Sequence, residues 1–314
     1  MDRTLSPEHF MADGYFYLVR RMTESGIIDG CDVILDGGDP DERELCPGVT
    51  WRVVHSLESV RHWPGPLIWV RGGFKPTDVY QHWKDAGKRI IFYAANTGRE
   101  RWPFWSDLLD DLTGRDYVDH RGVRCWNFRK PINEEIFYFK STEPQYDLCI
   151  GGSMITDKKG QHRVMGAVAR DMPALKCVMP GGIRHGVQSS KIMDVARKHR
   201  LAIHCPGMVS RRRMADVYRS ARVMVHAGSG QHDRSVLEAL ACGRPVVIDQ
   251  PQYHPPWLRD ASEKDGVFIT NGDLTGTILR ALGADVKPAD AALFRRRESG
   301  MDEVILPFWR ELLS

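Results

Sequence analysis

Three observations predict an α/β protein of two domains built on parallel sheets. The stretch 223–250, VMVHAGSGQHDRSVLEALACGRPVVIDQ, opens on a β-branched run, crosses a Gly/Ser loop at 228–230, enters a helix near Asp233 and closes on a second apolar run at 245–248. Strand, loop, helix, strand is the unit of a parallel sheet. The same alternation recurs three times between 147 and 220, which means a sheet covered by helices on both faces. In the first 128 residues, short apolar runs end in polar or glycine-rich loops, the places where open α/β sheets hold ligands. A chain of 314 residues, 42% hydrophobic and 27% charged, can bury two cores.

The elements follow in order. A helix is predicted over 7–25, then a strand at 33–35 that runs into Asp36, Gly37 and Gly38. The segment DGGDPDERE after it reads as a solvated turn; its Asp39 and Asp41 also form the Asp-x-Asp pair with which a metal-dependent sugar transferase holds a divalent ion, the weaker reading of the two. Strands are predicted at 49–54, 67–70 and 90–94, with a helix over 77–86. Two of these strands end in Arg71, Gly72 and Gly73, and in Asn96, Thr97, Gly98 and Arg99. With Gly37, the residues Arg71, Gly72, Asn96 and Arg99 are the candidates for substrate contact in this domain, and plain turns are the alternative.

Residues 127–146 place Pro131 and Pro144 around an aromatic cluster and read as a linker. The domains are therefore drawn at 1–130 and 146–300, with a linker at 131–145 and a closing segment at 301–314. Beyond the linker the rhythm is regular: strand 147–150, helix from about Gly160, strand 176–179, helix 190–200, strand 201–204, helix 211–220. Ile192, Val195, Ala196 and His199 recur at i, i+3, i+4 and i+7, as do Met214, Val217, Tyr218 and Ala221, so each helix has one buried stripe. A last helix over 302–313 carries Ile305, Phe308, Trp309 and Leu312.

Composition narrows the function classes. No apolar run is long enough to span a bilayer and the chain opens without an apolar signal region, which predicts a soluble cytoplasmic protein, or one of the host cytoplasm for a phage-encoded chain. Seven cysteines with no Cys-x-x-Cys pair read as reduced thiols rather than zinc ligands. The net charge of +3 hides an asymmetry: 19 Lys/Arg against 23 Asp/Glu in residues 1–145, and 25 against 18 in residues 146–314. A positive C-terminal half suits a phosphorylated small ligand, although solvated faces such as Arg211 to Arg213 and Arg295 to Arg297 supply the same excess. Seven of the nine tryptophans lie before residue 130, as core or as stacking faces for a sugar or base.

Four segments in order, KPINEEIF, DLCIGGSMITDKKG, HCPGMVSRRRMADVYRSARVMV and DRSVLEALACGRPVVI, resemble the C-terminal half of retaining GT-B glycosyltransferases of the family 4 type. The resemblance implies two Rossmann-like domains facing a cleft, closing over a nucleotide-sugar, with the last helix crossing back to the N-terminal domain. The family's lysine falls on Lys159, or on Lys158 in an alignment without an insertion, and neutralises the donor diphosphate. Its arginine neighbour is absent, because the position holds Gly152 or Ser153. The loop around Gly207, Met208 and Val209 corresponds to the backbone that frames the nucleobase.

Glu238 matches the second glutamate of the family's Glu-x7-Glu pattern, which accepts hydrogen bonds from ribose hydroxyls. The first would stand at Gly230, and His232 or Asp233 in the next turn is its candidate replacement. Ser229, Arg234 and Ser235 complete the implied donor-binding set. From the residues alone, Glu238 has a second reading as an i, i+4 ion pair with Arg234 on an exposed face, worth a few tenths of a kcal/mol. Asp233 has a second reading as a helix N-cap.

The implied chemistry is transfer of a sugar from a nucleoside diphosphate, UDP first, to a hydroxyl acceptor, with retention and with no metal, cofactor or protein nucleophile. Lys159 and the helix start at Arg234 would stabilise the leaving diphosphate, and a donor phosphate oxygen would take the acceptor proton. Three functions follow: transfer to a carbohydrate or metabolite hydroxyl, transfer to a hydroxymethylated pyrimidine in DNA, for which Arg99 and Arg101 offer phosphate contacts, and nucleotide-sugar binding without catalysis, motivated by Gly230 and the lost arginine.

Overall fold

The computed structural model of the chain describes residues 7–36, 39–71, 78–93, 111–113, 124–126, 130–151, 154–155, 160–183, 187–226, 234–249, 258 and 261–314. The chain divides into two units, the first comprising Met1–Pro7, Val19–Lys130 and Ile305–Ser314, the second Glu8–Leu18 and Pro131–Val304.

The helix predicted over 7–25 is broken into α1 (Pro7–Met11) and α2 (Gly14–Glu24). Asp13 makes the break. Its carboxylate accepts the Tyr15 N–H at 2.9 Å, as a cap does, and its own N–H turns back to the Phe10 carbonyl at 2.8 Å. Gly14 follows because a Cβ there would lie 2.1 Å from the Pro131 carbonyl oxygen. The short polar residue and the absent side chain together let the chain turn against the 131–137 segment.

In the first unit, β1 (Cys31–Asp36), β2 (Asp41–Cys46) and β3 (Val49–Val54) form a sheet in the order β1-β3-β2. β1 is parallel to β3 and β2 antiparallel to it. The segment expected as a turn is therefore half strand. β2 is an edge whose middle residues Glu42, Arg43 and Glu44 stay in water, so no apolar alternation marks it. Charges hold it instead: Arg52 of β3 pairs with Asp32 at 3.0 Å on one side and with Glu42 on the other. A charged edge also resists pairing with a further strand.

A second, parallel sheet runs β4 (Leu67–Arg71), β5 (Arg89–Tyr93), β6 (Asp111–Thr113), β7 (Arg124–Trp126), with α3 (Asp78–Asp85) after β4. β6 and β7 escape sequence reading because three residues are too few to show a period. The C-terminal helix starts as a π-helix, Met301–Ile305, and becomes α-helical at Leu306–Leu313, where Pro307 sits at the tolerated helix start. Trp309 packs edge-on against Trp69 at 4.7 Å between ring centroids.

The second unit runs β8 (Tyr146–Ile150), β9 (Met154–Ile155), α4 (Gln161–Asp171), β10 (Cys177–Val178), β11 (Gly182–Ile183), α5 (Val187–Lys198), β12 (Ile203–His204), α6 (Arg211–Arg219), β13 (Ala221–His226), α7 (Arg234–Ala241), β14 (Val246–Ile248), β15 (Val267–Ile269), α8 (Leu274–Gly283) and α9 (Pro288–Ser299). Six strands form one parallel sheet in the order β12-β10-β8-β13-β14-β15, and β9 and β11 pair separately.

Residues alternate cleanly between its faces. Leu148, Ile150, Val223, Val225, Val247 and Phe268 enter one core, with α4, α5 and α8. Cys149, Met224, Val246, Ile248 and Val267 enter the other, with α6, α7 and α9. Both faces are thus covered, as the apolar strands require. Burying each large side chain contributes about 1.5–3 kcal/mol. β15, α8 and α9 extend the sheet and its helical cover beyond the expected repeats; in α9, Phe294 is buried next to an exposed Leu293, so no plain stripe announces the helix.

The 131–145 segment is tied to this unit by buried arginines. Arg219 donates to the carbonyls of Ile136 at 2.8 Å and Tyr138 at 3.0 Å and lies over the Tyr138 ring. Arg244 donates to the Thr142 hydroxyl at 2.8 Å, and Arg295 pairs with Glu134. Arg295 is therefore buried, against the expectation of a solvated face at 295–297; Arg296 and Arg297 are exposed or nearly so.

Candidate functional site

In the second unit the strand order reverses between β8 and β13: later strands are added outward from β8 as β10 and β12, and from β13 as β14 and β15. The Gly151 N–H donates to the Val225 carbonyl at 2.9 Å, so the carboxyl ends of both strands leave side by side. In doubly wound sheets the ligand crevice opens at this reversal. Helices α6 and α7, which follow β12 and β13, and the turn before α2 bring the polar groups.

α7 starts on Arg234 and is buried from Ser235 to Ala241. One turn in, Glu238 is 3% exposed. One carboxylate oxygen pairs with Arg211, the first residue of α6, and the other accepts the Tyr218 hydroxyl at 3.5 Å. Arg211 also stands 3.6 Å from Asp13, whose same oxygen lies 2.6 Å from the Arg234 guanidinium. Arg234 in turn sits over the Tyr15 ring, 5.6 Å from its centroid. The result is an alternating chain, Glu238, Arg211, Asp13, Arg234. Each buried charge has a neighbour of opposite sign, without which burial would be prohibitive. Burial alone would lower the Arg234 pKa, but Asp13 and Glu238 outweigh it and the net shift is upward, so the guanidinium stays charged.

The helix starts are unusual electrostatically. Neither α6 nor α7 has an acidic residue in its first turn, whereas Arg211, Arg212, Arg213 and Arg234 stand there. Helix dipoles favour the opposite arrangement. Asp13 and Glu238 offset part of this charge, and what remains makes the region attractive to an anion. Before α6, Gly207 adopts the left-handed conformation at φ +72° that glycine tolerates, Met208 is 61% exposed, and Ser210 caps the helix by accepting the Arg213 N–H.

A second polar group sits at the carboxyl ends of strands in the same sheet. Asp249, one residue beyond β14, is buried, accepts the Thr270 hydroxyl at 2.7 Å and pairs with Arg163 at 3.0 Å. Arg163 lies in the first turn of α4, so the pair ties that helix start to the ends of β14 and β15.

Of the residues singled out from the sequence, Met208, Val209, Arg234, Ser235 and Glu238 are described, with Arg71 as the last residue of β4. Gly152, Ser153, Lys158, Lys159, Ser229, Gly230, His232, Asp233, Gly37, Gly72, Asn96 and Arg99 lie outside the described residues, as does Arg101. The exposed ion pair between Arg234 and Glu238 is replaced: Glu238 is buried and bound to Arg211, while Arg234 is bound to Asp13. Arg211 is likewise half-buried rather than part of a solvated face. The acceptor-side candidates follow the ends of β1, β4 and β5 in sequence, and β1 belongs to a different sheet from the other two. Asp13, Arg163 and Asp249 carried no sequence signal, because their partners lie far along the chain. Among the described residues no group of three or more His, Cys, Asp or Glu could hold a metal ion, and no helix is long and apolar enough to cross a membrane.

Residues 145–283 match the family model described as glycosyl transferases group 1. Among solved structures, the chain is similar to sucrose-phosphate synthase from Thermosynechococcus elongatus, at 15% identity and TM-score 0.63, over 96% of this chain and 90% of that one. It is similar to AviGT4, a glycosyltransferase involved in avilamycin A biosynthesis, at 15% identity and TM-score 0.65 with the same coverage. The chain has the GT-B glycosyltransferase fold. Anabaena HepE in complex with UDP and glucose is also similar, at 11% identity and TM-score 0.64, over 82% of this chain and 80% of that one. No curated protein matches the sequence. Within the GT-B frame, the matched segment runs from β8 into α8 and includes Arg163, Arg211, Arg234, Glu238 and Asp249; Asp13 lies outside it.

Proposed function

We propose that the protein is a glycosyltransferase that moves a sugar from a nucleoside diphosphate, UDP first, to a hydroxyl of a carbohydrate or metabolite. The observation that carries this reading is Glu238. It is a buried carboxylate one turn into the helix after β13, beside the reversal of strand order, in a segment that matches a glycosyltransferase family. The complex of the similar HepE with UDP and glucose supports the choice of donor.

Glu238 receives ribose hydroxyls in this reading, and the loop at Gly207, Met208 and Val209 receives the base, with Met208 offering an apolar contact. The diphosphate meets the start of α7 and Lys159. The acceptor oxygen bonds to the anomeric carbon as the bond from that carbon to the diphosphate oxygen breaks. The acceptor proton passes to a phosphate oxygen, and the configuration is retained without a metal. The Arg234 guanidinium is committed to Asp13, so its part is to fix the helix start, while the backbone N–H groups there face the developing negative charge.

The test is incubation with labelled nucleotide-sugars and a panel of acceptors: carbohydrates, hydroxymethylated DNA and plain DNA. Label on a carbohydrate supports the proposal; label on hydroxymethylated DNA alone replaces the acceptor with a pyrimidine hydroxymethyl group. Binding of the donor without transfer or hydrolysis makes the chain a nucleotide-sugar binder. Lys159→Ala is expected to abolish transfer.

A further inference from the structure

We propose that Arg211 is a latch over Glu238 that a nucleoside diphosphate opens and a nucleoside alone does not. The inference rests on the donor-site reading above and names the residue that sets the site's preference for phosphorylated ligands. Both carboxylate oxygens of Glu238 already have partners. One of its carboxylate oxygens is held by Arg211 and the other by the Tyr218 hydroxyl at 3.5 Å. A ribose diol needs the same oxygen lone pairs, so it competes with the guanidinium. Arg211 is the half of the pair that solvent reaches: its side chain is 28% exposed and that of Glu238 4%.

Opening the pair has a cost that depends on the ligand. Arg211 is the first residue of α6, where the helix dipole already disfavours a cation and Arg212 and Arg213 follow. Asp13, at 3.6 Å, offers it a second carboxylate, but that carboxylate also serves Arg234 at 2.6 Å. A displaced Arg211 therefore needs a new anion. A nucleoside brings a diol and no anion; a nucleoside diphosphate brings both on one molecule. The ion pair thus penalises the first ligand and is exchanged for a phosphate contact by the second. Guanidinium bonds to phosphate belong to the same charge-assisted class as those to carboxylate, so the diphosphate replaces the contact that the diol displaces.

Calorimetric titration of the wild-type protein, Arg211→Met and Arg211→Gln with UDP and with uridine tests this. In Arg211→Met the UDP affinity is expected to fall by about tenfold, the loss of one charged hydrogen bond, while uridine binds as well as in the wild type or better. Arg211→Gln is expected to show the same narrowed preference, and keeps a donor for Glu238 should the methionine variant fold poorly. Equal weakening of both ligands, or an unchanged ratio of affinities, overturns the latch and leaves Arg211 a structural ion pair. Wild-type protein that binds neither ligand overturns the donor site itself, a result distinct from the other two.

Discussion

The Arg234 guanidinium lies 2.6 Å from the Asp13 carboxylate across 221 residues of sequence. Arg234 occupies the first position of α7, where a cation opposes the helix dipole, and it is largely buried with its pKa raised, so it cannot shed its proton to escape an unfavourable site. Asp13 is what makes that position tolerable. Asp13→Ala is expected to lower stability by about 3 kcal/mol, the cost of stranding a buried charge. Urea denaturation checks it, and a loss below about 1 kcal/mol would place the pair with solvated surface bridges.

Two glycines give opposite expectations from the same substitution. At Gly14 a Cβ would sit 2.1 Å from the Pro131 carbonyl oxygen, which is backbone and cannot swing aside. Gly14→Ala should cost about 1–3 kcal/mol, as overpacking does. At Gly166, inside α4, a Cβ meets nothing within 4 Å. Gly166→Ala should add about 0.5–1 kcal/mol through helix propensity. Thermal melts of the two variants should move in opposite directions.

Alkaline pH should weaken the fold through its buried and half-buried thiols. Burial pushes Cys31, Cys177 and Cys242 up to about 12 from an ordinary 9.0, and pushes Cys149 up as well. Between these values the unfolded chain has released protons that the folded chain keeps. Stability is therefore intact below pH 9.0 and declines as pH rises towards about 12. In the folded protein at pH 8, Cys149 and Cys242 should resist iodoacetamide and react once urea unfolds the chain. Rapid labelling of either without denaturant would contradict their burial.

Most of the second unit's sheet is legible because its strands hold short apolar runs, such as Leu148 to Ile150 and Val223 to Val225, and its helices carry stripes, as in Met214, Val217 and Tyr218 of α6; β15 is the strand that sequence reading misses. The first unit was less so. β2 announces itself by cross-strand charges, Arg52 to Asp32 and Glu42, which linear inspection reads as a turn. Glu238 could be picked out from its surrounding motif, but its partner could not: Arg211 lies in a run of three arginines, of which only the first turns inward. Asp13 had no signal, since a lone aspartate in an otherwise helical stretch gives no hint of a partner more than 200 residues away.

The central claim is that Glu238 belongs to a nucleotide site, and titration of wild-type protein and Glu238→Gln with UDP tests it most directly. Saturable binding to the wild type is expected, with affinity at least about tenfold lower in the variant, which loses the charged acceptor proposed for the ribose hydroxyls. Absence of binding to the wild type, or equal affinity in both, would contradict it.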